Sequence, residues 1–521
     1  MHSIGYLQQS VHGDHCANEI TNSQPQLLIR GCNLLSPHAQ TRLLYNQDIL
    51  VAGTRIQAVG PSGTLDCNPF RIERIISGEG LIAMAGLVNA HTHSLENMLK
   101  ATSPSLPLEL WLVPLFVDTV KWSPRFVYLS ALLGAIEMLK TGTTAVLDHL
   151  WTVAGVDPEY LNATMQAYND VGIRAAVAPA IEDQDLVLEA GIRRGLAFPS
   201  HPFIDRFAHW PAIDAQVRAL EQFIATWHNA DDGRLRCLVG PSGIHWCSPA
   251  LLQSCLELSE RYQTGIHLHA VETELQAAII HEMLGQGGIA YLDKMGVLKR
   301  GTSLAHAIWL DQGDLELLAG SATTVVHNPI SNLRLGSGRF PLAEAFNHGV
   351  SVALGSDGSA SNDTQNMFGV LKLTGLVHNQ PDKDYKKWPH PDEILDAATH
   401  GGARALDMAA ELGDIAPGKL ADFVLLDMNA APFLPLRDPY LHLVYCENGG
   451  SVNTVVVNGK VVVEQGLVTT VDEQEIHQEI RHYCATHGFN PAESIDITPN
   501  TNEVLTLLDR LRRHILENGD V

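Results

Sequence analysis

From Leu87 onward the chain alternates short apolar runs with helix-length amphipathic segments. The runs are LVNAHTH at 87–93, TTAVLDH at 143–149, RAAVAPA at 174–180, LRCLVGP at 235–241, GIHLHA at 265–270, TSLAHA at 302–307, TTVVHNP at 323–329 and SVALGSD at 351–357. Each has strand length, and their near-continuous hydrophobicity is that of strands buried on both faces. Between them lie segments such as VYLSALLGAIEMLKTG and SPALLQSCLELSERYQTG. In the second, Ser248 and Pro249 sit where an N-cap and a first helical residue belong, with Gly265 beyond the end. Strands alternating with helices predict a parallel α/β fold, and eight strands are the number that closes a (β/α)₈ TIM-type barrel.

The two ends of the chain have a different texture. QLLIRGCNLL, QDILVAGTRIQAVG and RIISGEGLIAM, within residues 26–85, read as short strands punctuated by glycine turns. GKLADFVLLD and VNTVVVNGKVVVEQG, between about 418 and 470, return to that pattern. The expected organisation is therefore a β-sandwich built from residues 1–85 and 416–470, a catalytic barrel over 86–415, and a charged helical extension over 471–521. No internal repeat or low-complexity tract stands out.

Composition narrows the function. The chain has 521 residues, 45% of them hydrophobic and 18% charged, enough apolar material for a large core. Its formal net charge of −24 argues against nucleic acid or an anionic membrane as partner. No apolar run reaches the 18 residues of a membrane span. The N-terminus has no basic start followed by an apolar core, so no signal peptide is expected; His12, His15 and Cys16 within it read as a loose terminus. The eight cysteines are scattered without CxxC pairing, as in a reduced, cytoplasmic protein.

Polar residues fall where barrel enzymes carry their chemistry, at the C-terminal ends of strands. His91 and His93 are two apart, so on a strand they share a face. The fifth run ends in His267 and His269 with Glu272 just beyond, the sixth in His306 and the eighth in Asp357. A lone histidine on an apolar strand is usually structural. Four strand ends delivering His, His, His and Asp to one mouth indicate a metal site.

The motifs NAHTH, HAVET, LAHAIWL, HNPISNLRLGSG and LGSDGSASND together resemble the amidohydrolase superfamily, in its branch of N-heterocycle aminohydrolases. That branch holds guanine and 8-oxoguanine deaminases, deaminases of adenosine derivatives and triazine hydrolases. The resemblance implies His91, His93, His269 and Asp357 as ligands of one divalent metal, zinc or alternatively ferrous iron. It also implies Glu272, His306 and Asp357 as the catalytic groups, with His267 in the core or behind a ligand. Two-metal relatives bridge their ions with a lysine of strand four; no lysine lies between Lys140 and Lys294, so a single metal is expected. Pro-Gly, common before the first strand in such proteins, is Ala85-Gly86 here.

The activity so implied is removal of ammonia from an N-heterocycle by hydroxide generated at the metal, with Glu272 moving protons to the ring and to the departing amine. Trp111 and Glu109, in SLPLELWLVPLF at 105–116, are candidate substrate contacts, or part of a lid helix. Ser242, His245, Asn362 and Asp363 are further candidates, and His149 and His327 are expected to face the mouth. Nucleoside-acting relatives often carry a histidine where this chain has Ser242, which favours a free purine base or related ring. Two rivals remain: a triazine-type hydrolase releasing chloride or an alkylamine, and a non-catalytic binding homologue. A homodimer is expected from the resemblance alone. The cytidine-deaminase signature, HExxH, GxSxG and P-loop motifs are absent.

Overall fold

The computed structural model describes residues 26–36, 40, 42–65, 72–102, 105–116, 122–152, 155–206, 210–381, 384–487 and 498–518. His12, His15 and Cys16 lie outside the described residues.

Eight parallel strands form two four-stranded arcs. The first arc orders Leu87–Thr92, Thr143–Asp148, Arg174–Val177 and Leu235–Cys237; the second orders Ile266–Ala270, Thr302–His306, Thr324–His327 and Ser351–Leu354. All eight apolar runs are therefore strands. One seam closes where Val239 bridges Ile266 in parallel and His267 N donates to Val239 O at 2.9 Å. The other closes where Asp357 N donates to His91 O at 2.9 Å, completing a (β/α)₈ barrel. Gly355 makes the second closure possible: a Cβ there would meet Asn328 Oδ1 at 2.4 Å and His91 Cβ at 2.9 Å.

The helices follow the expected signals with one shift. Ser248 caps Pro249–Tyr262 by accepting from Leu251 N at 3.2 Å, and Pro249 takes the first turn. The left-handed C-cap, however, is Gln263 (φ +51°) and not Gly265.

The flanking β-structure is one continuous nine-stranded mixed sheet. Leu81–Ala85 joins the chain ends, parallel to Gln26–Leu35 on one side and antiparallel to Phe423–Asp427 on the other. Strand alternation divides its contacts. Ile82, Met84, Val424 and Leu426 belong to the core shared with the barrel helices, whereas Leu81, Ala83, Phe423 and Leu425 pack with Leu27, Ile29, Ile49 and Val51 on the other face. The C-terminal segment supplies helices Glu473–Thr486 and Pro499–Asn518. Val504 and Leu508 of the latter pack against Leu110 and Val113, on the back of the helix Leu108–Leu115. No described helix is long and apolar enough to cross a membrane.

One buried ion pair ties barrel to sheet. Arg174, 1% exposed at the start of the third barrel strand, donates from Nε and Nη2 to Asp422 at 2.7 and 2.9 Å, and Asn458 N donates to the same carboxylate at 2.8 Å. Removing one partner strands a buried charge. Asp422→Ala is expected to lower unfolding free energy by about 3–5 kcal/mol, measured by denaturant titration; a loss within error of zero would show that the pair does not hold the two units together.

Candidate metal centre and active site

The four expected ligands converge at the barrel mouth. His91 Nε2 and His93 Nε2 each lie 3.4 Å from Asp357 Oδ1, and His93 Nε2 lies 3.4 Å from His269 Nε2. A tetrahedral ion with ligand bonds near 2.0–2.1 Å has edges of about 3.4 Å, so the spacing fits zinc-like coordination. The hydrogen-bond pattern fits as well. His91 Nδ1 pairs with His267 Nε2 at 2.8 Å, His93 Nδ1 with the carbonyl of His149 at 2.7 Å, and His269 Nδ1 with the carbonyl of Ser242 at 2.6 Å. The two carbonyls commit Nδ1 of His93 and His269 as donors and leave each Nε2 as a lone pair. Buried His91 Nε2 has no hydrogen-bond partner among the described residues, as a ligand atom requires. Behind His91, His267 Nδ1 meets Ser303 Oγ at 2.7 Å, which extends the hydrogen-bond relay to the sixth strand and holds the His91 ring in place.

Burial drives His91 down to about 4 and His269 well below the ordinary imidazole value, which keeps both as neutral ligands. Burial also acts on His93, but the carboxylates of Glu96 and Asp357 outweigh it and hold this imidazole above its usual value. The Asp357 carboxyl shows the opposite balance. Burial would raise it, yet the imidazoles of His91, His306 and His93 around it hold it well below the carboxylate range. Glu272 is pushed well above that range, first by burial and then by the charge of Asp357. Neighbouring carboxyls driven apart in this way are suited to opposite proton-transfer roles.

His306 completes the cluster. Its Nε2 lies 3.6 Å from Glu272 Oε2 and 3.7 Å from Asp357 Oδ2, while Nδ1 donates to Asn332 Oδ1 at 2.8 Å. With Nδ1 carrying the proton, the neutral ring presents a bare Nε2. It is an acceptor first, and becomes a donor only after taking up a proton. Both His306 (φ +69°) and Asp357 (φ +66°) occupy left-handed backbone, strain held in place by the packed strands around them. Behind Asp357, Gln365 Oε1 accepts from Asn89, Thr92 and Ser356 while its Nε2 donates to Asp357 O at 3.1 Å.

The cluster opens into a cavity of about 490 Å³. His93, His269, Glu272, His306 and Asp357 form one end; Leu108, Trp111, Leu112, Leu115, Phe116 and Trp151 form an apolar wall; Glu182, Asp205, Arg206 and Gln216 give a polar edge. SLPLELWLVPLF is thus both alternatives at once, a lid helix over Leu108–Leu115 whose inner face lines the site. Trp111 and Ser242 line the cavity as expected.

Four expected contacts do not line it. Glu109 turns aside and accepts from Thr273 Oγ1. His245 packs its ring 4.0 Å from that of Trp246, which takes the lining position instead. Asn362 donates to Ser356 O at 2.6 Å, and Asp363 is bound by Ala101 N at 2.9 Å and Arg334 at 3.0 Å, so both hold loops. His149 stacks on His269 with centroids 4.8 Å apart, while His327 faces His378, Nε2 to Nε2, at 3.0 Å. Asn332, Gln365 and Glu96 were not singled out by sequence reasoning, although Asn332 lies within the HNPISNLRLGSG motif. Glu96, 2% exposed, also lines the cavity, and burial pushes its carboxyl up to about 7.

Elemental analysis is expected to find about one divalent ion per chain, lost in His91→Ala and His269→Ala. His267→Phe keeps all four ligands but frees His91 Nδ1, and is expected to weaken metal affinity about 10–100-fold in chelator competition. Asn332→Ala is expected to lower kcat by a similar factor, about 10–100-fold, with metal content unchanged; unaltered kcat would remove Asn332 from the site.

Comparison with known proteins agrees with this geometry. Residues 82–462 match the profile described as Amidohydrolase family. A 5-methylthioadenosine/S-adenosylhomocysteine deaminase of Pelotomaculum thermopropionicum is 32% identical over 454 residues, 87% of this chain and 96% of that protein. Among solved structures, the zinc complex of an atrazine chlorohydrolase from Arthrobacter aurescens TC1 superposes with a TM-score of 0.79 at 27% identity, covering 88% of this chain and 99% of the other. A zinc-bound adenosine deaminase from Xanthomonas campestris gives 0.76 at 27% identity, covering 89% and 99%. The fold, the ligand cluster and the match over most of the chain together establish that it belongs to the amidohydrolase family.

Proposed function

We propose that the chain is a mononuclear, metal-dependent aminohydrolase that releases ammonia from the 6-amino group of an adenosine-type nucleoside with an apolar 5′ substituent. The observation that carries the reaction type is the convergence of three bare imidazole nitrogens and the Asp357 carboxylate, with Glu272 and His306 beside them at the end of a cavity. The family is metal-dependent, and zinc is the proposed ion. When bound, the ion lowers the pKa of a ligand water toward about 7 and so supplies a nucleophile at neutral pH.

The residues divide the remaining work. His306 Nε2 and Asp357 Oδ2 accept the proton that the water gives up as it attacks the ring carbon. Glu272, held protonated with Ser337 Oγ donating to its Oε1 at 3.2 Å, gives its proton to the adjacent ring nitrogen. The proton gathered from the water then passes to the amino group, which leaves as ammonia; the remaining hydroxyl proton returns to Glu272 as the ring carbon becomes a carbonyl, which restores the carboxyl. Trp111, whose buried Nε1 has no hydrogen-bond partner, supplies an aromatic wall and a free N–H to the bound molecule.

Substrate size supports a nucleoside. At about 490 Å³ the cavity is larger than a flat bicyclic base needs, and Leu108, Leu112, Leu115 and Phe116 give it an apolar wall. Ser242 favours a free base on sequence grounds, but the size of the cavity and the deaminase relative of Pelotomaculum weigh more heavily the other way. A second reading, hydrolysis of a substituted triazine, is supported by the superposition on the atrazine chlorohydrolase.

Ammonia release from 5′-methylthioadenosine, adenosine, adenine and 8-oxoguanine, with chloride release from chlorinated triazines alongside, separates these readings. Turnover of the nucleosides is the expected result, and activity confined to free bases or triazines would overturn it. Glu272→Gln is expected to retain its metal and lose about 10²–10⁴ in kcat; full activity in that variant would sink the proton-transfer assignment.

A further inference from the structure

Among the described residues, three buried carboxyls line the cavity: Glu272, Asp357 and Glu96. The first two have tasks in the reaction and Glu96 has none. Its position is nonetheless strongly specified. Glu96 rides on the short turn Ser94–Met98 that follows His93. Ser94 N donates to Asp148 Oδ1 at 3.0 Å, and Asn97 Nδ2 donates to the carbonyls of Ser94 and Ser130 at 2.9 and 3.1 Å, so the turn is pinned at both ends. Gly358 clears space for the side chain: a Cβ there would stand 1.9 Å from Glu96 Oε2.

The hydrogen bonds it receives are few for a buried carboxyl. Trp151 Nε1 donates to Oε1 at 3.2 Å and Ala360 N donates to Oε2 at 3.3 Å, both at the long end of the range. A carboxylate offers about four acceptor positions, so each oxygen keeps one open. An incompletely satisfied buried carboxylate is costly unless something else donates to it. Since this one lines the cavity, that donor can be the bound molecule.

We propose that Glu96 is a specificity-determining residue that accepts hydrogen bonds from an O–H or N–H pair on the substrate that takes no part in the reaction. The proposal deepens, and rests on, the nucleoside reading above. In a 6-aminopurine nucleoside the amino group is spent at the metal end, so the donors left are the sugar hydroxyls or an amino group elsewhere on the ring. The shared chemistry is a donor pair meeting a preformed acceptor pair, as carboxylates commonly recognise vicinal donors.

The test measures ammonia release by wild type, Glu96→Gln and Glu96→Ala, with metal content determined for each. The substrates are adenosine, 2′,3′-dideoxyadenosine and 2-aminoadenosine. Wild-type rates test the nucleoside reading; the ratio of variant to wild type, substrate by substrate, tests Glu96. For a donor-bearing substrate, Glu96→Ala is expected to lower kcat/KM about 10–100-fold, the scale of a charged hydrogen bond. The loss should appear mainly in KM, because the contact is made equally before and during reaction. If the sugar is the donor, dideoxyadenosine should lose less than about threefold in the variants. If a ring amino group is the donor, 2-aminoadenosine should lose more than adenosine. Equal losses on all three substrates at unchanged metal content would make Glu96 structural and overturn the proposal. Wild type inactive on all three would overturn the nucleoside reading, and the Glu96 assignment as framed would fall with it.

Discussion

Placing three imidazoles and a carboxylate within about hydrogen-bonding distance of one another, out of water, is the constraint on which the rest of this barrel depends. Burial opposes every charge in such a cluster. It is tolerated because the imidazoles are fixed in orientation from behind by His267, the His149 carbonyl and the Ser242 carbonyl, and because Asp357 is the anion they surround. The ligands come from strands one, five and eight, so the cluster can form only if both seams of the barrel close in register. Gly355 at the second seam, the left-handed backbone at His306 and Asp357, and the Gln365 network all serve that one requirement.

The order in which the sequence becomes informative has a physical basis. All eight barrel strands could be read directly, because strands buried on both faces must be apolar over their whole length and so stand out from the amphipathic helices between them. His91 and His93 were readable because a period of two is the signature of one strand face. Side-chain direction in the short helices and loops beyond the strands is not given by that period. Glu109, His245, Asn362 and Asp363 all sit in segments beside the site, but a rotation of about one residue decides whether each meets the cavity or a neighbouring loop. Glu109 went to Thr273, Asp363 to Arg334, and Trp246 took the position expected of His245. Conversely, Asn332, Gln365 and Glu96 are ordinary polar residues in sequence. Their importance comes from contacts across the barrel, such as that between Gln365 and Asn89, 276 positions apart.

The site combines two surfaces of different character. Its reactive end is built from strand termini, which the barrel holds rigidly, as proton transfer and ligand geometry demand. Its apolar wall is formed largely by a short helix with Pro114 near its end. A fixed reactive end with an exchangeable wall accounts for how similar barrels accompany both a purine-type deaminase and a triazine hydrolase among the proteins this chain resembles.

That wall does not stand alone. Val504 and Leu508 of the last helix, Pro499–Asn518, press on the side of the lid helix that faces away from the cavity, while Asn500 Nδ2 donates to Ser200 O at 2.9 Å beside the segment that carries Pro202 and Asp205. The apolar wall of the substrate chamber is thus propped from outside by residues more than a hundred positions beyond the last metal ligand. A change in the tail's apolar stripe alters the shape offered to a substrate without touching any group that performs chemistry. Part of the chamber's shape is consequently set by a stretch of the chain that holds no metal ligand.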